Sequence, residues 1–190
     1  MLTDFQVRKF TQQFRRLDAD GGGTLRWNDF ESLLERLRRA RGWQTDSPRV
    51  GQARDCYENL WKTLEKHGDR DQDGAISLGE WLEFHRVALC DSQVLLQINP
   101  AYEELVVTMS RFVQETLDDD GDGRVTSDEY REFCEAYGID EKEAERCFRG
   151  LDRNGDGILT RAEILDLVLE YYCSEEPDAP GNLFFGILTG

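Results

Sequence analysis

The stretch DDDGDGRVTSDE, Asp118–Glu129, decides how this chain is read. Carboxylates stand at its first, third and fifth positions (Asp118, Asp120, Asp122), with glycine sixth (Gly123), an apolar residue eighth (Val125) and Glu129 twelfth. Three more twelve-residue stretches follow the same plan. DRDQDGAISLGE spans Asp69–Glu80 and DRNGDGILTRAE spans Asp152–Glu163, while DADGGGTLRWND, an imperfect copy, spans Asp18–Asp29. An internal repeat fixes the structural unit before any single residue does. Asp-rich turns that merely stay solvated explain one such stretch, but not three that share glycine, apolar and glutamate positions.

The flanks of every copy carry apolar residues at helical spacing. Phe10, Phe14 and Leu17 lead into the first loop, and Phe30, Leu33, Leu34 and Leu37 leave it. Cys56, Tyr57, Leu60, Trp61 and Leu64 precede the second, which exits through Trp81, Leu82, Phe84 and Ala88. Leu105, Val106, Met109, Phe112 and Val113 enter the third, followed by Tyr130, Phe133, Cys134 and Tyr137. Ala144, Cys147, Phe148 and Leu151 enter the fourth, and Ile164, Leu165, Val168 and Tyr172 leave it. Helix, loop, helix, four times over, is the EF-hand pattern.

The loop spacing follows from the chemistry of a hard cation. Ca²⁺ takes six to eight oxygens at about 2.3–2.6 Å, and a tight loop supplies them from positions 1, 3, 5, 7, 9 and 12. The second loop offers Asp69, Asp71, Asp73, the Ala75 carbonyl and Glu80. The third offers Asp118, Asp120, Asp122, the Arg124 carbonyl and Glu129, and the fourth Asp152, Asn154, Asp156, the Ile158 carbonyl and Glu163. The sixth position must turn with φ > 0, hence Gly74, Gly123 and Gly157. The eighth is apolar (Leu25, Ile76, Val125, Leu159) and is expected to pair between neighbouring loops as a minimal antiparallel ladder. Ser77, Thr126 and Thr160 stand three residues before each glutamate, which is the S/T-x-x-E capping box of the exiting helix.

The first loop departs from this plan. Asp18, Asp20, the Thr24 carbonyl and Asp29 remain, but Gly22 replaces the fifth-position carboxylate. Arg26 places a cation near the site and removes the capping box, and Asp29 is one methylene shorter than glutamate. Fewer ligands and a tighter cage predict weaker Ca²⁺ binding with a lean toward Mg²⁺, which prefers six ligands and keeps waters. Three Ca²⁺ sites are therefore expected, with the fourth left open. An aspartyl nucleophile at Asp18-Ala-Asp20 would need a preceding buried strand, and FTQQFRRL has helical period instead.

Composition agrees. The 190 residues carry 23 Lys plus Arg against 39 Asp plus Glu, a formal charge of −16. That excess argues against nucleic acid or an anionic membrane as main partner, since both attract clustered positive charge. Fourteen of the acidic side chains stand at ligand positions, so without them the chain would be close to neutral. Disorder is excluded by 39% apolar and 11% aromatic residues. Five cysteines with no CxxC argue against a disulfide framework and for a reducing, cytoplasmic setting. The opening MLTDFQVRKF is not expected to act as a signal peptide, position 2 is not the glycine that N-myristoylation requires, and no apolar run is long enough to span a bilayer.

The loop starts are unevenly spaced, with extra chain at ARGWQTDSPRVGQ (40–52) and DSQVLLQINP (91–100). The expected fold is all-α: four EF hands in two pairs, residues 1–97 and 98–190, packed together and ending in an apolar tail, GNLFFGIL (181–188).

Taken whole, the chain resembles the calexcitins and the invertebrate sarcoplasmic calcium-binding proteins, and more distantly the coelenterazine-binding proteins and photoproteins. The resemblance rests on LTDFQ before a first hand ending W-N-D-F, on LWKTLEKHGDRDQDG and EWLEF around the second loop, on YGI at 137–139, and on the Gly-Asn apolar tail. It implies a compact monomer with a tucked tail, cytosolic Ca²⁺ buffering or signalling, and, for calexcitins, a protein target such as a membrane channel. Many relatives have a degraded second or fourth loop, and here both are intact. With only Met1 and Met109, the chain lacks the Met-rich groove of an opening sensor, which leans toward a buffer without excluding a narrow-specificity sensor. The alternative is a carrier of a small apolar ligand, of coelenterazine type, with calcium-triggered release. His67 and His85 are expected at surface or partly buried positions rather than in a chromophore cluster.

Overall fold

The computed structural model describes residues 1–90, 108 and 111–188, and all their side chains except 88–90. The expected boundary at 97/98, the segment 91–100, the stripe residues Leu105, Val106 and Met109, and the Ala88 and Cys90 side chains lie outside the described residues. In chain order the elements are α1 (Asp4–Leu17), β1 (Thr24–Leu25), α2 (Trp27–Ala40), α3 (Pro48–Gly68), β2 (Ile76–Ser77) and α4 (Leu78–Cys90). Then come α5 (111–117), β3 (Arg124–Thr126), α6 (Ser127–Ala136), α7 (Glu141–Leu151), β4 (Ile158–Thr160), α8 (Arg161–Cys173) and a 3₁₀ turn, η1 (Pro180–Leu183).

Helix starts are written in the sequence. Thr3 caps α1 in a box with Gln6, Ser47 followed by Pro48 opens α3, and Asp140 caps α7. Helix α6 stops at Tyr137-Gly138-Ile139, where the Ile139 N–H reaches Cys134 O at 2.9 Å and Gly138 adopts φ +71°. This is a Schellman turn, and it buries Ile139 as the apolar residue beyond it.

Each pair of hands is tied by one short ladder. Leu25 faces Ile76 between β1 and β2, and Val125 faces Leu159 between β3 and β4, so the eighth positions pair as expected. All four are buried, which leaves the acidic positions of the loops on the other side of the ladder.

One continuous core joins both pairs. Among the described residues the helical stripes bury as anticipated, except that Leu82 and Phe84 are only half-buried and Leu165 lies outside. Leu165 is exposed, while Leu167 and Tyr171 are buried. On α8 the inward face runs through Ile164, Leu167, Val168, Tyr171 and Tyr172, and Leu165 sits one position off that stripe. Across the middle of the molecule the Tyr57 and Tyr137 hydroxyls share a hydrogen bond at 3.2 Å, and the Tyr57 and Phe112 rings meet edge to face at 4.9 Å. Cys56, Cys134 and Cys147 are buried thiols, and the Cys56 thiol, desolvated and beside Glu115, is pushed up to about 12.

The tail closes the structure. Phe184 and Phe185 are buried against Tyr130, Phe133 and Tyr171. Its backbone is held from three sides: Glu170 accepts the Gly181 N–H at 2.6 Å, Glu143 accepts the Ile187 N–H at 2.8 Å, and Tyr130 donates to the Leu183 and Phe184 carbonyls at 3.1 Å. Gly181 is obligatory, because a Cβ there would lie 2.6 Å from Leu167 O.

Candidate metal centres

Each loop begins where a helix ends on an aspartate, and that side chain folds the loop around itself. Asp69 accepts the N–H groups of Gln72 (2.7 Å) and Gly74 (3.0 Å). Asp118 accepts those of Gly121 (2.7 Å) and Gly123 (2.9 Å), and Asp152 those of Gly155 (2.8 Å) and Gly157 (2.9 Å). Third-position side chains accept from the fifth residue: Asp71 from Asp73 (3.3 Å), Asp120 from Asp122 (3.0 Å) and Asn154 from Asp156 (2.9 Å). Fifth-position carboxylates accept from the seventh: Asp73 from Ala75 (2.9 Å), Asp122 from Arg124 (2.8 Å) and Asp156 from Ile158 (3.1 Å).

The twelfth-position glutamates do double duty. One oxygen completes the capping box: Glu80 accepts the Ser77 N–H at 2.9 Å, Glu129 the Thr126 N–H at 2.8 Å and Glu163 the Thr160 N–H at 2.9 Å. The other oxygen crosses the loop, reaching the Arg70 N–H (3.0 Å) from Glu80 and the Asp119 N–H (2.9 Å) from Glu129. Charge-assisted bonds to the Ser77 N–H first of all hold the Glu80 carboxyl below the usual carboxylate range, against some desolvation.

Carboxylate oxygens within 4.8 Å of one another gather in three loops: Asp18, Asp20 and Asp29; Asp69, Asp71 and Asp73; and Asp118, Asp120 and Glu129. Like charges brought this close repel, and a hard divalent cation relieves that repulsion. The donors are oxygen throughout, which fits Ca²⁺ or Mg²⁺ and not a soft metal.

Loops one and four each differ from expectation. In loop one Asp29 is buried and its carboxylate accepts the Arg26 N–H at 2.8 Å, so the carboxylate half of the capping box survives without a side-chain cap from Arg26. The Arg26 guanidinium does not lie over its own site; Nη1 lies 3.5 Å from Gly74 O in loop two. Asp18 accepts from Gly22 and Gly23, both at 2.9 Å. In loop four the Asn154 amide turns its NH₂ toward the acids, donating to Asp156 at 3.1 Å and Glu163 at 3.0 Å. The amide there does locally what a cation would do.

The fourth position also has φ > 0 in every loop: Gly21 (+71°), Gln72 (+61°), Gly121 (+76°) and Gly155 (+72°). Reading position six alone missed this, although glycine at position four in three of four copies carried the signal. Seventh-position residues Thr24, Arg124 and Ile158 open their strands, and Ala75 immediately precedes β2.

His85 corrects the sequence reading. It is buried, stacked on Phe10 at 4.2 Å between Trp81 and Tyr172, and desolvation pushes it down to about 3. Packing against α1 and α8, invisible to local periodicity, decides this.

Comparison with known proteins agrees with the geometry. The family model of the EF hand matches residues 68–85 and 115–134, and that of the EF-hand domain pair matches 136–171. Calerythrin of Saccharopolyspora erythraea is 23% identical over 90% of this chain and 94% of its own. Sarcoplasmic calcium-binding proteins I, III and IV of Branchiostoma lanceolatum are 24% identical over 97% and 98%. Among solved structures, a calcium-binding protein of Streptomyces coelicolor superposes with TM-score 0.73 at 26% identity, covering 88% of this chain and 97% of that one. Coelenterazine-binding protein from Renilla muelleri gives 0.75 at 23%, covering 98% and 100%. The photoprotein berovin, at TM-score 0.61 and 21% identity over 90% and 88%, binds magnesium in its loops.

The chain is a calcium-binding EF-hand protein. Among the proteins it resembles over nine tenths or more of its length are sarcoplasmic calcium-binding proteins.

Proposed function

We propose that this protein is a monomeric, cytoplasmic calcium buffer of the sarcoplasmic type, whose work is binding rather than catalysis. Asp69, Asp71, Asp73, the Ala75 carbonyl and Glu80 form one Ca²⁺ site. Asp118, Asp120, Asp122, the Arg124 carbonyl and Glu129 form a second. Asp152, Asn154, Asp156, the Ile158 carbonyl and Glu163 form a third, which requires the Asn154 amide to turn its oxygen inward. Asp18, Asp20, the Thr24 carbonyl and Asp29 form a smaller site that leans toward Mg²⁺.

The observation that carries the buffer over the sensor is the closed interior. Among the described residues only Met1, Val87 and Leu165 are exposed large apolar side chains. A sensor needs a helix pair that opens onto an apolar groove, whereas here the tail fills the space between α6, α7 and α8. A channel or other protein target would have to displace that tail first. Small-angle scattering with a hydrophobic dye tests the reading. The radius of gyration and dye fluorescence of the Ca²⁺-loaded chain should match or fall below those of the metal-free chain. A Ca²⁺-dependent rise in both would make the protein a sensor.

Likeness to a coelenterazine-binding protein supports the carrier reading less well. The space between α1, α4 and α8 is filled by Phe10, His85 and Tyr172. The cavity under the tail, lined by Phe5, Lys9, Tyr171 and Phe185 among others, is about 180 Å³. Ligand pockets usually run from about 300 to 1,000 Å³ and are mostly apolar, whereas a hollow of about 330 Å³ beside α3 is lined by Asn59, Lys62, Thr63, Lys66 and Arg111, a poor fit to an apolar ligand.

A further inference from the structure

The short connection after α2 ends on a loop of the other pair of hands. Helix α2 stops in a Schellman turn, with Gly42 at φ +64° and the Trp43 N–H donating to Arg38 O at 3.0 Å. Arg38 Nη1 donates back to Trp43 O at 2.7 Å. The turn aims Arg41 and Trp43 at loop three. The Arg41 side chain has no solvent exposure. Its Nη2 donates to Leu117 O at 2.9 Å and lies 3.5 Å from Glu129 O. Leu117 directly precedes the first position of the loop and Glu129 is its twelfth, so a single guanidinium touches both ends. The Trp43 ring covers that guanidinium at 5.3 Å, and its Nε1–H donates to Asp119 Oδ1 at 3.0 Å. Asp119 (3.8 Å) and Glu132 (3.4 Å) approach Arg41 at charge-pair distances without hydrogen-bond geometry.

Charge alone would make a cation beside loop three weaken the binding of a second cation. The contacts to the two backbone carbonyls act the other way. EF-hand opening moves the entering helix and the twelfth residue relative to each other, and these are the two points Arg41 holds. We propose that Arg41 is a positioning residue for loop three: it fixes the entering helix end against the twelfth position, so the loop is shaped for Ca²⁺ before the ion arrives. This rests on loop three being a Ca²⁺ site. By linkage, Ca²⁺ in loop three then tightens the seat of α2 on α6.

The test uses Arg41→Lys, which keeps the charge and loses the fork, and Arg41→Met, which loses both. Calcium titration is followed at the Gly123 amide resonance, which reports loop three, and at Gly74 and Gly157 for loops two and four. Both variants should raise the loop-three dissociation constant about tenfold, within the usual range of coupling between sites. Both should also speed hydrogen exchange of residues 118–129 in the metal-free chain, while Gly74 and Gly157 titrate within about twofold of wild type. Tighter binding by Arg41→Met with no change in Arg41→Lys means charge alone and overturns the proposal, as does no change in either. If neither variant folds, the wild-type chain supplies the test: Ca²⁺ in loop three should slow hydrogen exchange of residues 38–43, as the linkage requires, and unchanged exchange there overturns the proposal. A wild-type chain whose Gly123 does not respond to Ca²⁺ overturns the reading of loop three as a site, and the proposal with it. A normal wild-type response with unaffected variants overturns the brace alone.

Discussion

At the scale of the residue, the twelfth-position glutamate is where structure and ion binding can be separated. Glutamine serves a capping box as well as glutamate does, but it cannot offer a bidentate carboxylate. Glu129→Gln keeps the capping bond but loses the second oxygen's bond to the Asp119 N–H, so it should lower metal-free stability by only about 1 kcal/mol and weaken Ca²⁺ at loop three by about tenfold or more, as loss of a charged bidentate ligand requires. Paired calorimetry and urea melts check both halves. Gln72 is the reverse case. It holds φ +61°, where its loop counterparts are glycine. The left-handed conformation costs an L-residue about 1–2 kcal/mol, and glycine's greater freedom when unfolded takes back about 0.5–1. Gln72→Gly should thus raise metal-free stability by roughly 0.5 kcal/mol in urea.

Lys9 carries the pH dependence. It is buried, it donates to Ser174 O and Asn182 Oδ1, both at 3.0 Å, and desolvation lowers it from 10.5 to about 8. Between those values the unfolded chain holds the proton and the folded chain has released it, so stability rises with pH from about 8 toward 10. Lys9→Met should flatten that rise in urea midpoints taken across the window. The loops and their acidic positions were legible in the sequence because ion chemistry fixes such spacing. Lys9, Gln6 and Gln13 were not. They share the inward face of α1 with Phe10 and Phe14, and polar residues at the period of an apolar stripe were the available signal.

At the scale of the element, local signals named the helices, ladders and caps, because capping boxes, glycines and 3.6-residue stripes are local physics. What a helix rests against was not local. Arg41 reads as the ordinary end of an arginine-rich helix, and His85 as a half-exposed side chain, until α6 and α1 are brought against them. The tail was legible as apolar and tucked, but the bonds that seat it were not. Glu143 shows why: its Oε1 accepts both Arg16, at 3.1 Å, and the Ile187 N–H, joining three elements distant in sequence. Phe184 is wholly buried in that seat. Phe184→Ala should cost about 3–5 kcal/mol, as large-to-small changes in a core do. Hydrophobic-dye binding should rise with the loss of stability, and a variant that melts like wild type would show the tail to be dispensable.

At the scale of the molecule, the −16 charge gathers in the loops while the helices share one core. Ion binding should therefore tighten a shape already present rather than build a new one. With free Ca²⁺ at about a hundred times the dissociation constant, each occupied site adds about 2.7 kcal/mol, which calorimetric melts with and without chelator would register as a large rise in Tm. We read the four loops as three Ca²⁺ sites beside one smaller, Mg²⁺-leaning site. Isothermal titration of the metal-free chain with Ca²⁺, in millimolar Mg²⁺, tests it most directly. Three Ca²⁺ ions should bind per chain, with the loop-one site left to Mg²⁺. Fewer than three ions, or four equivalent Ca²⁺ sites indifferent to Mg²⁺, would contradict it.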